Sequence, residues 1–266
     1  MPVLQPTFWL AVVFVLLWNS GFIAAEFALP QMPTFTLLAW RYGALSLLLA
    51  LLLGLGRRLS WPGFKPVLHA MRVGVLSHGV WLACVMIALD LDVPAGIVAL
   101  VVALQPLLTG ALSGKVTGER TPLLSWVGLA LGFVGVCLVL LYRIDFGEAA
   151  SVFGYLIPLG SVVAITVASL LQRRVELQQR ELLLPAGQSL LYQSMGTLLG
   201  VAPLALLLEG LESRWTPGLV TSLGWLVVAV SLGAYGLMWA LLSRMDATRV
   251  ASLFYFGPPV TMVMAW

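Results

Sequence analysis

Long apolar runs alternate with short polar links along the whole chain. Nine runs approach or reach the roughly 20 residues that an α-helix needs to cross the hydrocarbon core of a bilayer: about 8–28, 34–54, 72–90, 94–113, 123–142, 151–171, 186–208, 219–242 and 248–266. The links carry nearly all the charge, and none is long enough to hold a soluble domain. Helix breakers fall in the links, as in "LPQMP" at 29–33 and "RWTPG" at 214–218. The pattern predicts an all-α, polytopic membrane protein.

Composition agrees. Hydrophobic residues make up 61% of the chain and charged residues 9%, against about a quarter charged in soluble domains, and the mean hydropathy is +1.02. The first run lacks a basic flank and exceeds the roughly 7–15 apolar residues of a secretory signal, so it reads as a retained span. Cys84 and Cys137 lie in apolar runs with neither disulfide nor metal-ligand spacing.

Charge sets an expected orientation, because cytoplasmic links are enriched in Lys and Arg. With the N-terminus in the cytoplasm, Arg143 and Arg214 alone of the fourteen Lys and Arg residues fall in outer links, and Arg41 alone falls within a span. The outer links hold Asp90, Asp92, Asp145, Glu148, Glu209 and Glu212. The basic residues are therefore topology signals, and no nucleic-acid partner is expected.

An internal repeat is visible. "LDVPAGIVALVVALQPLLTGAL" (91–112) and "RMDATRVASLFYFGPPVTMVMAW" (244–266) superpose on a shift of 153 residues, which lays Pro106 on Pro259 and Leu100 on Leu253. The preceding "SHGVWLACVMIAL" and "SLGAYGLMWALL" correspond at nearly the same shift. Five spans separate the copies, an odd number, so the second enters the membrane from the opposite side, as in many secondary transporters. The reading is two inverted five-helix repeats, residues 1–145 and 146–266, with the counterpart of span 123–142 expected beyond Trp266.

These segments resemble the EamA-type branch of the drug/metabolite transporter superfamily: "LLWNSGFIAAEFALPQMPTFTLLAWRY", "HGVWLACVMIAL" followed by "VPAGIVALVVALQPLLTGALSGKVTGER", "WVGLALGFVGVCLVL" and "ATRVASLFYFGPPVTMVMAW". The resemblance implies ten helices in two inverted repeats in a bacterial inner (cytoplasmic) membrane. It also implies movement of small metabolites, often export of amino acids or related solutes.

Several polar residues interrupt the spans and are candidates for a solute site. Arg41 sits in the second span, where a guanidinium needs a partner or a wet cavity. It could pair with Glu26, cap backbone carbonyls, or hold a carboxylate or phosphate of a substrate. Asn19, flanked by Trp18 and Ser20, interrupts the first span and should face inward; a helix–helix hydrogen bond is the alternative. His78, with Trp81 nearly a turn on, could carry a proton or be neutral and hydrogen-bonded; His69 falls in the link before that span. Gln105 precedes Pro106, which frees a backbone carbonyl. Tyr192 and Gln193, Tyr235 and Trp239, and Tyr255 beside Pro258–Pro259 complete an aromatic and polar lining, although aromatics equally serve packing. "GLALG" (Gly128, Gly132) and "GTLLG" (Gly196, Gly200) read as faces for close helix approach.

The expected function is a secondary transporter of small metabolites, an exporter of amino acids or other organic acids by alternating access, with protons a candidate coupling ion. The sequence has no G-x-x-x-x-G-K-[ST] loop for ATP. No nucleophile–base pair, metal-ligand cluster or cofactor motif points to an enzyme. A non-transporting structural or receptor subunit is the other alternative.

Overall fold

The computed structural model of the chain describes residues 4–116, 118, 123–143, 149–242, 244, 250, 253–264 and 266. Among them there is no strand, and the long apolar runs are helices: α1 (Leu4–Ala28), α2 (Thr34–Leu55), α3 (Phe64–Gly74), α4 (Trp81–Asp90), α5 (Ala95–Val102), α6 (Gln105–Val116), α7 (Leu123–Arg143), α8 (Ala149–Gln178), α9 (Ala186–Leu208), α10 (Pro217–Trp225), α11 (Tyr235–Leu242) and α12 (Gly257–Met264). Two joints are π-helical, Val75–Val80 between α3 and α4 and Leu226–Ala234 between α10 and α11. Seven helical runs among the described residues are long and apolar enough to span a membrane. The helix α7 coincides with the predicted fifth span.

Proline starts the helices. Pro33, Pro94 and Pro185 hold extended backbone (ψ 159°, 132° and 143°) at the N-caps of α2, α5 and α9. Pro217 occupies the first turn of α10, where its missing N–H costs nothing, and the Thr216 hydroxyl accepts the N–H of Leu219 at 3.1 Å. The fourth run breaks at Ala103–Leu104, one turn before Pro106, as expected where proline cannot bond back to residue 102.

Two predicted boundaries were too short. The third run starts at Phe64 rather than 72, because α3 is amphipathic: Val67, Ala70 and Val73 are buried on one face while Lys65 and Arg72 point out. His69 is therefore inside a spanning helix, 3.4 Å from Gln172, and not in a link. The sixth run continues to Gln178 instead of 171, its polar last turns supported by Arg173–Glu176 at 3.4 Å and Arg174–Gln178 at 3.3 Å.

Packing sorts the helices into neighbourhoods. The antiparallel pair α2 and α9 share the most extensive interface, and α3 packs on the same α9; α1 packs on α10, α11, α12 and the π-helical joint between α10 and α11; α4, α5 and α6 pack on α8. Helix backbones come closest to one another at two glycines. A Cβ on Gly74 would overlap the Gln193 backbone, and one on Gly196 would lie 2.5 Å from the Met71 carbonyl oxygen. The small-residue reading of "GTLLG" fits this contact. For "GLALG", nothing among the described residues lies within 4 Å of a Cβ on Gly128, and the side-chain surroundings of Gly132 lie outside the described residues. The outer surface of the bundle is apolar, with Leu47, Leu124, Leu131, Phe153, Leu199 and Leu207 all exposed, a density of bare apolar side chains foreign to a water-soluble monomer.

The two ends of the bundle differ. Links 29–33 and 209–216 meet at one end, the acidic end, where Arg214 donates its N–H to the Gln31 carbonyl at 2.8 Å and Thr216 bonds the Gln31 side chain. Links 56–63 and 179–185 lie at the other, basic end, where Gln188 on α9 donates to the Arg58 carbonyl at 2.7 Å.

Candidate functional site

The helices enclose a cavity of about 340 Å³, within the size range of sites for small molecules. Its aromatic wall is built on Trp18 of α1. Trp81 stacks on it with centroids 6.0 Å apart, Tyr235 lies at 5.4 Å, and Phe254 meets it edge-on at 5.1 Å. From there the cavity runs to Gln172, Ser189 and Glu176 toward the basic end, where the Glu176 side chain is 41% exposed.

His78 is the hub of the polar wall. It is 1% exposed and sits in the π-helical turn between α3 and α4. Gln193 donates its amide to Ser189 Oγ at 2.9 Å, which turns Oε1 toward His78 Nε2 at 3.1 Å. An acceptor there assigns the proton to Nε2, so Nδ1 accepts the Tyr235 hydroxyl at 3.1 Å. The Tyr42 ring covers the imidazole at 5.4 Å. The neutral, hydrogen-bonded histidine of the two sequence readings fits this geometry.

Gln105, freed at the break, donates to Thr109 at 3.2 Å and to Ser169 at 3.3 Å, joining α6 to α8. Asn19 donates to the Val15 carbonyl at 2.7 Å and accepts the Thr261 hydroxyl at 3.0 Å, so it joins α1 to α12 while its side chain borders the cavity. Ser20 faces elsewhere, accepting the Trp225 indole N–H at 2.8 Å.

Of the residues singled out from sequence, Asn19, His78, Trp81, Gln105, Tyr235 and Trp239 border this cavity. Three expectations change or fall away. Tyr192 is buried against Val67, Ala70 and Met71, away from the cavity, because Gln193 beside it takes the inward position. Arg41 borders a separate, smaller void; it donates to Ser231 Oγ from Nε at 3.1 Å and Nη2 at 3.0 Å, while Glu26, its suggested partner, is exposed. The side chain of Tyr255 lies outside the described residues.

Sequence reading missed Ser169, Gln172 and Glu176. A signal was present: Thr166, Ser169, Gln172 and Glu176 recur every three or four residues and form one polar stripe along α8. It was hidden by ending the span at 171. Ser231 gave no signal, since serine is common in apolar helices.

Fold and cavity together define a multi-pass helical membrane protein with a solute-sized chamber, partly aromatic and partly polar, between its helices. The sequence matches the EamA-like transporter family over residues 5–141, and the chain belongs to that family. It is 34% identical over 137 residues to an "Uncharacterized inner membrane transporter YedA" of Escherichia coli (strain K12), a match covering 51% of this chain and 44% of that relative's length. It is 27% identical over 277 residues to a "Probable amino-acid metabolite efflux pump" of Salmonella typhimurium (strain LT2), covering 96% of this chain and 84% of the relative. An "Uncharacterized transporter YvbV" of Bacillus subtilis (strain 168) is 28% identical over 176 residues, 64% of this chain and 54% of the relative. The chain is a multi-pass protein of the inner membrane.

Proposed function

We propose that the protein is a secondary transporter that moves small polar metabolites by alternating access, with amino acids and related solutes the first class to test. The observation that carries the reading is the cavity bounded by His78, Gln105 and Gln193, polar on one side and aromatic on the other. Family membership supports transport, and the efflux-pump name of a relative aligned along most of this chain supports the solute class.

The inverted repeat gains support from the two π-helical joints. Each ends immediately before an aromatic residue of a matching pattern, Ser77-x-Gly79-x-Trp81 and Ser231-x-Gly233-x-Tyr235. Both aromatics pack on Trp18. π-Helical turns mark functional positions in helices, and a pair of them on either side of one cavity suits elements that rock against each other. With the basic end in the cytoplasm, this conformation opens inward and is closed outward. Protons are the candidate coupling ion, with His78 their carrier.

Counterflow of labelled amino acids in proteoliposomes tests the proposal. Saturable exchange is expected, and Gln193→Leu, which removes the acceptor for His78 and a polar wall of the cavity, should reduce it at least tenfold. Absence of any solute flux from folded protein would favour a receptor or structural subunit instead.

A further inference from the structure

Arg41 is a buried cation with no anionic partner among the described residues. It is 4% exposed. Its Nε and Nη2 share one hydroxyl oxygen, that of Ser231, and its guanidinium carbon lies 5.5 Å from the centroid of the Tyr42 ring. Among the described residues no carboxylate lies within ion-pair distance of it. A single hydroxyl does not offset the removal of a full charge from water, and buried charges are ordinarily paired. The guanidinium also carries five N–H donors, so a fork with one neutral acceptor leaves donor capacity unused.

A second, independent donor borders the same space. Trp81 is 7% exposed, and its indole Nε1 has no hydrogen-bond partner. Arg41 and Trp81 both line a void of about 30 Å³, less than a tenth of the central cavity's volume. Phe22, Leu82, Val85, Met86 and Val230 complete much of its wall and bring no polar side-chain atom. Tyr235, also on the wall, commits its hydroxyl to His78. The void thus has a positive charge and a spare N–H donor, with no carboxylate or amide on its wall to answer them; the hydroxyls there are those of Tyr42 and of Tyr235, the latter committed to His78.

We propose that this void is an anion subsite, taking one small anionic group between the Arg41 guanidinium and the Trp81 indole N–H. Its size suits one small anionic group, a carboxylate or a halide, and falls well below that of the central cavity. Trp18, Phe22, Trp81 and Tyr235 line both this void and the central cavity, so an aromatic partition separates the two spaces. A solute in the central cavity reaches Arg41 with its carboxylate when that partition opens, which makes the subsite a second station on the path. In that form the inference rests on the transport reading and adds the charge class of the solute, an organic acid or zwitterion. The halide alternative stands without it.

Thermal unfolding of the detergent-solubilised full chain tests the subsite, with sodium sulfate, a larger tetrahedral dianion, holding the ionic strength constant. Sodium formate should raise the unfolding midpoint by a few degrees and saturate, while neutral formamide should not. Formate alone acting points to a solute carboxylate, and chloride acting equally points to a halide. Arg41→Gln should abolish the shift. Trp81→Phe, which keeps an aromatic ring and removes the N–H, should weaken formate binding about tenfold and carries the test if Arg41→Gln does not fold. No shift with either anion, an equal shift with formamide, or a shift that survives these variants would overturn the subsite. Counterflow separates the two readings: a formate shift without solute flux overturns transport alone, and flux without any anion shift overturns the subsite alone.

Discussion

The Glu209 carboxylate, just past the end of α9, accepts the backbone N–H of Thr36 at 2.6 Å in the first turn of α2. It also accepts the Thr36 hydroxyl at 2.8 Å and the Phe35 N–H at 3.0 Å. Free N–H groups and the positive end of the helix dipole make this a favourable place for a carboxylate. The contact ties the link after α9 to the first turn of α2, Trp40 of α2 also pairs with Trp215 of that link at 5.2 Å, and together they latch the acidic end shut. Glu209→Ala should lower stability by about 1–2 kcal/mol. It should also speed thiol labelling of A25C, a position 2% exposed on the wall of the Arg41 void. An unchanged labelling rate would rule out the latch.

His78 presents one donor and one acceptor to two neutral partners, and Tyr235 supplies the hydrogen bond to Nδ1. Tyr235→Phe leaves that buried nitrogen unpaired, at a cost of about 1–3 kcal/mol, read as a lower unfolding midpoint. Adding a proton to Nδ1 requires the Tyr235 hydroxyl to turn from donating to accepting, so protonation of His78 and the setting of the aromatic wall are linked. If His78 carries the coupling proton, His78→Gln abolishes uptake driven by a pH gradient and leaves counterflow exchange intact. Retained pH-driven uptake would remove the idea.

Gly74 and Gly196 let α3 and α9 touch through their backbones. Gly→Ala in a helix is intrinsically favourable by about 1 kcal/mol, so any loss at these positions reports packing. Gly74→Ala and Gly196→Ala should each sharply reduce the yield of monodisperse protein by size exclusion. Gly224→Ala, with nothing within 4 Å of the new Cβ, should be tolerated. Equal yields from all three would contradict the close contact.

The sequence was most legible where lipid or proline dictates structure. Unbroken apolar runs located the helices, Pro106 marked a lost backbone hydrogen bond though not the break itself, and Asn19, His78 and Gln105 stood out because each is polar in a run that otherwise is not. It was least legible at helix ends with polar faces, as α3 and the last turns of α8 show. It also failed on rotation: Tyr192 and Gln193 are neighbours, and no property of the pair said which would face the cavity. Arg41 was recognised as needing a partner, yet the partner is Ser231, 190 residues away.

Taken alone, the residues determined an all-helical membrane bundle, its approximate spans and the polar groups that hydrocarbon cannot accept unpaired. Tertiary structure alone decided that His78 meets Gln193 and Tyr235, that Glu209 closes the N-terminus of α2, and that Arg41 and Trp81 border one void. The reason is physical. In a soluble helix the apolar stripe fixes which face turns inward, but here lipid and core are equally apolar, so hydrophobicity carries little rotational phase. The phase comes from where small residues permit close contact and where distant polar groups find partners, and both depend on helices remote in the chain.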